Sequence, residues 1–226
     1  MEEASVSIRL NPFKGLDGPA GTPVPWSPYG RILSERPVFT LDPLFHAGCY
    51  YVQDSSAMYV GHLFRNLLSA SLHGSQPRQT SGCAGPLPLL AQTGPSLLQS
   101  RGRLWSGEAA ADSATQVRVL DLCAAPGGKT TDLAASLREA CGDDFVLVAN
   151  EVMKARVGVL DDNVARWGDP NVVVTSVDPA AFAQLRGWFD IIVADVPCSG
   201  EGMFRKDPRA REEWSPAVVD LCAARQ

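Results

Sequence analysis

The run VRVLDLCAAPGGKTTDLAASLREA, Val117 to Ala140, decides the fold. VRVLDL (117–122) is an apolar stretch of strand length and TTDLAASLREA (130–140) is predicted as a helix. Between them lies Cys123-Ala124-Ala125-Pro126-Gly127-Gly128-Lys129. Small side chains there let backbone amides come close to a ligand at the start of the helix. Strand, small-residue turn and helix in that order is the building unit of a parallel, doubly wound sheet.

Downstream the unit repeats. FVLVAN (145–150) predicts a second strand, ending on Glu151. The segment 153–168, MKARVGVLDDNVARWG, predicts a helix with Val157, Leu160, Val164 and Trp167 on one face and Gly168 as its stop. NVVVTSVD (171–178) predicts a third strand ending on Asp178. FDIIVAD (189–195) predicts a fourth ending on Asp195, apolar enough to be buried on both faces. The expected class is therefore α/β, with a Rossmann-like, doubly wound, mostly parallel sheet. Ligands in such sheets bind at the carboxyl ends of the strands, where all four features fall.

Upstream the chain reads differently. Prolines at 12, 19, 23, 25, 28, 37 and 43 break any long helix in residues 1–48. VSIRL (6–10) and RPVFTL (36–41) are strand candidates. DSSAMYVGHLFRNLL (54–68) predicts a helix capped near Asp54 or Ser55, with Met58, Leu63, Leu67 and Leu68 on its apolar face. Ser, Gly, Pro and Gln then dominate residues 69–115, and no period persists, as in a flexible surface insertion.

Composition bounds the rest. With 226 residues and 45% hydrophobic side chains, a sizeable core is expected. No apolar run reaches the ~20 residues needed to span a bilayer. The acidic start, MEEASVSIRLNP, lacks the apolar region of a signal peptide. Cysteines 49, 83, 123, 141, 198 and 222 are scattered, without CxxC or His-Cys ligand spacing. No metal site or disulfide framework is expected, and reduced thiols fit a cytoplasmic protein. A net charge of -5 argues against non-specific coating of nucleic acid and leaves room for one local basic groove.

The strand-end set suits a nucleoside cofactor. Glu151, 23 residues beyond Gly128, is placed to accept from two ribose hydroxyls, and Asp178 to meet an amino group such as that of adenine. Two other readings compete. In one the glycines only pack the helix on the sheet. In the other GGKT is a phosphate-binding P-loop, but that motif needs a glycine where Cys123 stands. Cys198 follows the fourth strand, close behind Asp195, with Gly200 and Gly202 beyond it and a cluster of Arg205, Lys206, Arg209 and Arg211. A thiolate adding to C6 of a pyrimidine makes C5 nucleophilic, and a carboxyl group at N3 stabilises the developing charge. Asp195 and Cys198 suit those tasks on a single-stranded or flipped base. Cys49, Cys83, Cys141 and Cys222 read as small core hydrophobes.

LDLCAAPGGKT and FDIIVADVPCSG together resemble the NOL1/NOP2/Sun group of RNA 5-cytosine methyltransferases. The flanks SERPVFTLDPLFHAGCYYVQDSSAM, VANEVMKARVGVLDDNVARWG and GEGMFRKDPRAREEWSP are similar to its bacterial small-subunit ribosomal RNA branch of F type. The likeness covers residues 6–68 and 117–226. It implies a Rossmann-like methyltransferase fold, S-adenosylmethionine as cofactor and RNA, ribosomal by preference, as partner. It puts the cofactor against Cys123, Ala124, Ala125, Pro126, Gly127, Gly128, Lys129, Glu151, Asp178 and Asp195. It also implies that Cys198 assists product release, while a cysteine in a later Thr-Cys dipeptide attacks C6. No Thr-Cys occurs in these 226 residues. By the resemblance, residues 1–48 are the remnant of an N-terminal RNA-binding domain with a linker, and 49–226 an incomplete catalytic domain. A chain that binds cofactor or RNA without catalysis is the alternative.

Overall fold

The computed structural model describes residues 6–15, 18–73, 116–205 and 209–225. The expected insertion lies outside them, apart from its first residues, which extend a helix. Two sheets organise the described residues. The first is antiparallel, in the order β2-β3-β1-β4. Its strands are β1 (Val6–Leu10), β2 (Thr22–Pro23), β3 (Gly30–Leu33) and β4 (Tyr50–Val52). The second is parallel, in the order β7-β6-β5-β8. It comprises β5 (Val117–Asp121), β6 (Phe145–Asn150), β7 (Val172–Thr175) and β8 (Ile191–Val193).

In the parallel sheet β5 lies between β6 and β8, pairing Val119 with Leu147 on one side and with Ile191 on the other. The chain steps outward from β5 through β6 to β7, then returns to the far side of β5. This reversal puts the topological switch point between β5 and β8, where such sheets bind ligands. Helix α3 (Gly128–Cys141) joins β5 to β6, and α4 (Lys154–Trp167) joins β6 to β7. Of the expected face of α4, Leu160, Val164 and Trp167 are buried and Val157 is half-buried, and Gly168 ends the helix in the left-handed region at φ 83°. Glycine holds that conformation without the clash a Cβ brings.

The main core joins Phe64 and Leu68 of α2 (Tyr59–His73) to Leu133 and Leu137 of α3 and to Val119, Leu147 and Ile191 of the sheet. A second cluster packs Ile8, Leu33, Phe39, Cys49 and Tyr50 within the N-terminal sheet. Between sheet and core, β1 is buried on both faces. Ile8 faces the second cluster, while Ser7 and Arg9 face β4 and α3. Two short helices, α1 (Pro43–His46) and α5 (Arg209–Glu213), and a terminal one, α6 (Pro216–Arg225), complete the elements. No helix among the described residues is long and apolar enough to cross a membrane.

Four expectations need correction. RPVFTL is no strand: Phe39–Leu41 forms a 3-10 turn, and the second long strand of that sheet is Gly30–Leu33. Leu63 is exposed, because Phe64 and Leu68 carry the inward face of α2, which starts at Tyr59 and runs on through His73. The third and fourth strands are shorter than the apolar runs that announced them. Finally β8 is buried on one face only: Ile191 and Val193 enter the main core, while Ile192, at 46% exposure, joins neither cluster on the parallel sheet.

Candidate functional site

The site starts at Asp121, the last residue of β5. Its carboxylate is fully buried and accepts a 2.7 Å hydrogen bond from the Thr130 hydroxyl in the first turn of α3. That contact ties the strand end to the helix start and closes the intervening loop into a tight arc. Burial pushes the Asp121 carboxyl up from 3.8 to about 6; Thr130 and Lys129 pull it down, and Asp195 and Glu151 add to the rise.

The loop carbonyls are held from outside. Arg156 of α4 donates to the Ala125 carbonyl at 2.5 Å, while Asn163 and the Tyr51 hydroxyl donate to that of Pro126 at 2.8 and 3.2 Å. Gly127 sits at φ 105°, the N-cap of α3, facing Leu160 and Asn163 of α4. Gly128 faces the other way. A Cβ there would lie 3.1 Å from the Tyr51 ring and 3.5 Å from the Gln53 amide. Such a Cβ would press the Tyr51 ring aside by a few tenths of an ångström.

The result is a cleft of about 220 Å³. Its floor is the loop from Cys123 to Pro126 with Gly128 and Lys129, one wall is Tyr51 to Asp54 with Ala57, and the other is Asp195. Lys129 reaches across to Asp195, Nζ to Oδ2, at 2.5 Å. Loop and Asp195 meet because β5 and β8 are neighbours in register, Asp121 opposite Val193.

Cys123, Ala124, Ala125, Pro126, Gly128, Lys129 and Asp195 thus come together in one cleft, and Gly127 supports it from behind. Glu151 is buried beside it at 3% exposure. Its Oε1 accepts from the Met153 amide at 2.9 Å, and Oε2 lies 3.4 Å from Arg156 without a hydrogen bond among the described residues. Asp178 is exposed beyond the tip of β7 and caps the 3-10 turn Pro179–Leu185 through the Ala180 amide. Cys198 is exposed, three positions past Asp195, and neither it nor Asp178 forms a wall of the cleft. Burial, aided by Glu151, Asp121 and Asp195, pushes the Cys123 thiol up. Cys49 and Cys222 are buried, Cys141 is half-buried, and Cys83 lies outside the described residues.

Three contributors escaped sequence reasoning. Asp121 left a signal, an acid closing a strand whose other charge is Arg118. Asn150 left less. It is fully buried, and its amide accepts from Thr175 and Val177 while donating to the carbonyls of Val177 and Leu122. It thereby fastens the tips of three neighbouring strands. The wall from Tyr51 to Asp54 gave no signal, since it belongs to the other sheet.

Comparison with known proteins bears on this geometry. Residues 110–226 match the family model of the 16S rRNA methyltransferase RsmB/F, and residues 1–55 that of the N-terminal domain of 16S rRNA methyltransferase RsmF. Over 110 residues the chain is 48% identical to ribosomal RNA small subunit methyltransferase F of Serratia proteamaculans, a match taking in 48% of this chain and 22% of that protein. The chain therefore spans about a quarter of the length of the curated relatives it matches. Two crystal structures from Pyrococcus horikoshii share the fold. A methyltransferase homolog superposes with a TM-score of 0.57 at 23% identity, over 93% of this chain and 56% of that one. NSun6, solved with SFG, superposes with a TM-score of 0.51 at 20% identity, over 84% and 35%. The P-loop reading is thereby set aside. With the matched model spanning residues 110–226, the glycine loop, the strand tips and Asp195 included, the chain belongs to the 16S rRNA methyltransferase RsmB/F family.

Proposed function

We propose that the cleft is the S-adenosylmethionine pocket of a cytosine-C5 methyltransferase acting on small-subunit ribosomal RNA in the cytoplasm. The observation that carries this reading is the meeting of the glycine loop and Asp195 across one cleft, bridged by Lys129 at 2.5 Å. The residues present fit the cofactor. Gly128 leaves a backbone cradle that a Cβ would fill, and Glu151 keeps a buried carboxylate oxygen without a hydrogen bond among the described residues. In this reading Cys123 to Lys129 cradle the cofactor, Glu151 accepts from its ribose hydroxyls, and Asp178 meets the adenine amino group. Bound there, S-adenosylmethionine supplies an electrophilic sulfonium methyl group.

The remaining chemistry falls to side chains. Asp195, 55% exposed, faces the open side from which a flipped base enters and holds a proton at N3 of the cytosine. Cys198, also exposed, assists release of the methylated base. Attack on C6 needs a thiolate. Cys49 and Cys222 are buried, and the raised Cys123 thiol stays protonated. With Cys198 given to release, no other described cysteine is exposed beside the cleft. With these cysteines the 226 residues are expected to bind cofactor without completing turnover; a binder of cofactor or RNA is the second reading. Calorimetry with S-adenosylmethionine and with ATP tests the pocket: binding of ATP alone overturns it. Efficient methyl transfer to a 16S RNA fragment by this chain would overturn the assignment of Cys198 to release only.

A further inference from the structure

Arg9 of β1 is fully buried, and its hydrogen bonds reach both the wall and the floor of the cleft. Its Nε donates to Gln53 Oε1 at 2.9 Å, and Gln53 lines the cleft wall. Its Nη2 donates to the Gly128 carbonyl at 3.1 Å and to the Thr131 hydroxyl at 2.5 Å, both in the first turn of α3. The guanidinium stacks 4.5 Å over the Trp167 ring at the end of α4, and Asp132 lies 3.8 Å from Nε. Two residues on, Asn11 donates to the carbonyls of Gly48 and Trp167, away from the cleft. The pair divides the labour: Asn11 locks the N-terminal sheet to α4, and Arg9 reaches further, to the wall and floor of the cleft.

We propose that Arg9 is a positioning residue for the cofactor cleft, setting the distance between Gln53 on the wall and Gly128 on the floor without touching the ligand. The inference rests on the reading of the cleft as the S-adenosylmethionine pocket. In the planar fork of Arg9, Nε holds Gln53 and Nη2 the start of α3, a fixed spacing of donors that the compact ammonium of lysine does not reproduce. The N-terminal sheet then tunes cofactor affinity from behind the loop. A purely structural staple would affect stability alone.

The test compares four variants of the full chain by urea unfolding and by calorimetry with S-adenosylhomocysteine. Arg9→Lys and Thr131→Val should weaken binding by about tenfold, the size expected when a buried hydrogen bond is lost from a ligand-positioning group. Thr131→Ser, which keeps the hydroxyl, should bind like the parent. Asn11→Ala should lower stability and leave affinity within about twofold, as expected for a residue away from the cleft. The inference is overturned if Thr131→Val and Arg9→Lys bind as tightly as the parent, or if Asn11→Ala loses affinity in step with stability. Should Arg9→Lys fail to fold, the contrast between Thr131→Val and Thr131→Ser decides. A parent chain that binds no S-adenosylhomocysteine overturns the pocket itself, a different result from a parent that binds while the variants match it.

Discussion

Asp121 shows how a single side chain couples the site to pH. Its folded carboxyl, at about 6, lies above the ordinary 3.8, so the folded state holds the proton more tightly. Its contribution to stability is full below about 4 and is lost as pH rises through 6, a difference of about 3 kcal/mol. Asp121→Asn, which keeps an acceptor for Thr130, should therefore gain about that much relative to the parent between pH 4 and pH 7. Urea midpoints measured across that range check the sign, and a parallel shift of both curves would refute it. Cys198 allows a simpler test. Exposed, against buried Cys49 and Cys222, it should be the first described thiol to react with a chromogenic disulfide in a Cys83→Ser background. Cys198→Ser should remove that fast phase, leaving half-buried Cys123 and Cys141 to react slowly and Cys49 and Cys222 only after denaturation.

At the scale of elements, legibility followed periodicity. Strands β1 and β6 and the α4 face were readable because each carries its own pattern within a short window. The segment RPVFTL misled because Val38, Phe39 and Thr40 are strand-favouring residue types, yet Phe39 is claimed by Phe45 and Tyr50 at 6.4 and 6.1 Å and its backbone closes a turn instead. Gly30–Leu33 was passed over since half of its residues are glycine or arginine, and pairing with β1 supplies the order its composition lacks. The strand-end acids were visible as the last residues of apolar runs, but not that Glu151 is buried while Asp178 is exposed. Asn150 was illegible because its role consists of partners 25 to 28 residues away. Asn150→Ala strands backbone and hydroxyl groups of β5 and β7 without a partner, at a cost of about 2 kcal/mol. Hydrogen exchange should accelerate at Val177 first, whose amide donates to Asn150.

Across the whole molecule, the N-terminal sheet and the parallel sheet are joined by buried charge. Asp132 of α3 sits between Arg9, fully buried, and Arg65 of α2, which donates to it at 3.1 Å and to the Trp26 carbonyl. Removing the shared anion leaves two cations facing each other indoors, so Asp132→Ala should cost about 3–5 kcal/mol. Arg65→Met, whose partner retains Arg9, should cost less. A reversed order of urea midpoints would show that the α2 contact dominates. The same junction has a consequence for how the chain is born. Arg9 finds Thr131 across 122 positions, and Asn11 finds Trp167 across 156. Contacts that distant close late, since loop entropy must be met before they return anything. During synthesis the first strand therefore waits, its guanidinium solvated, until the second helix of the Rossmann unit has left the ribosome. Stalled nascent chains should gain protease resistance around Arg9 only once residue 167 has cleared the exit tunnel.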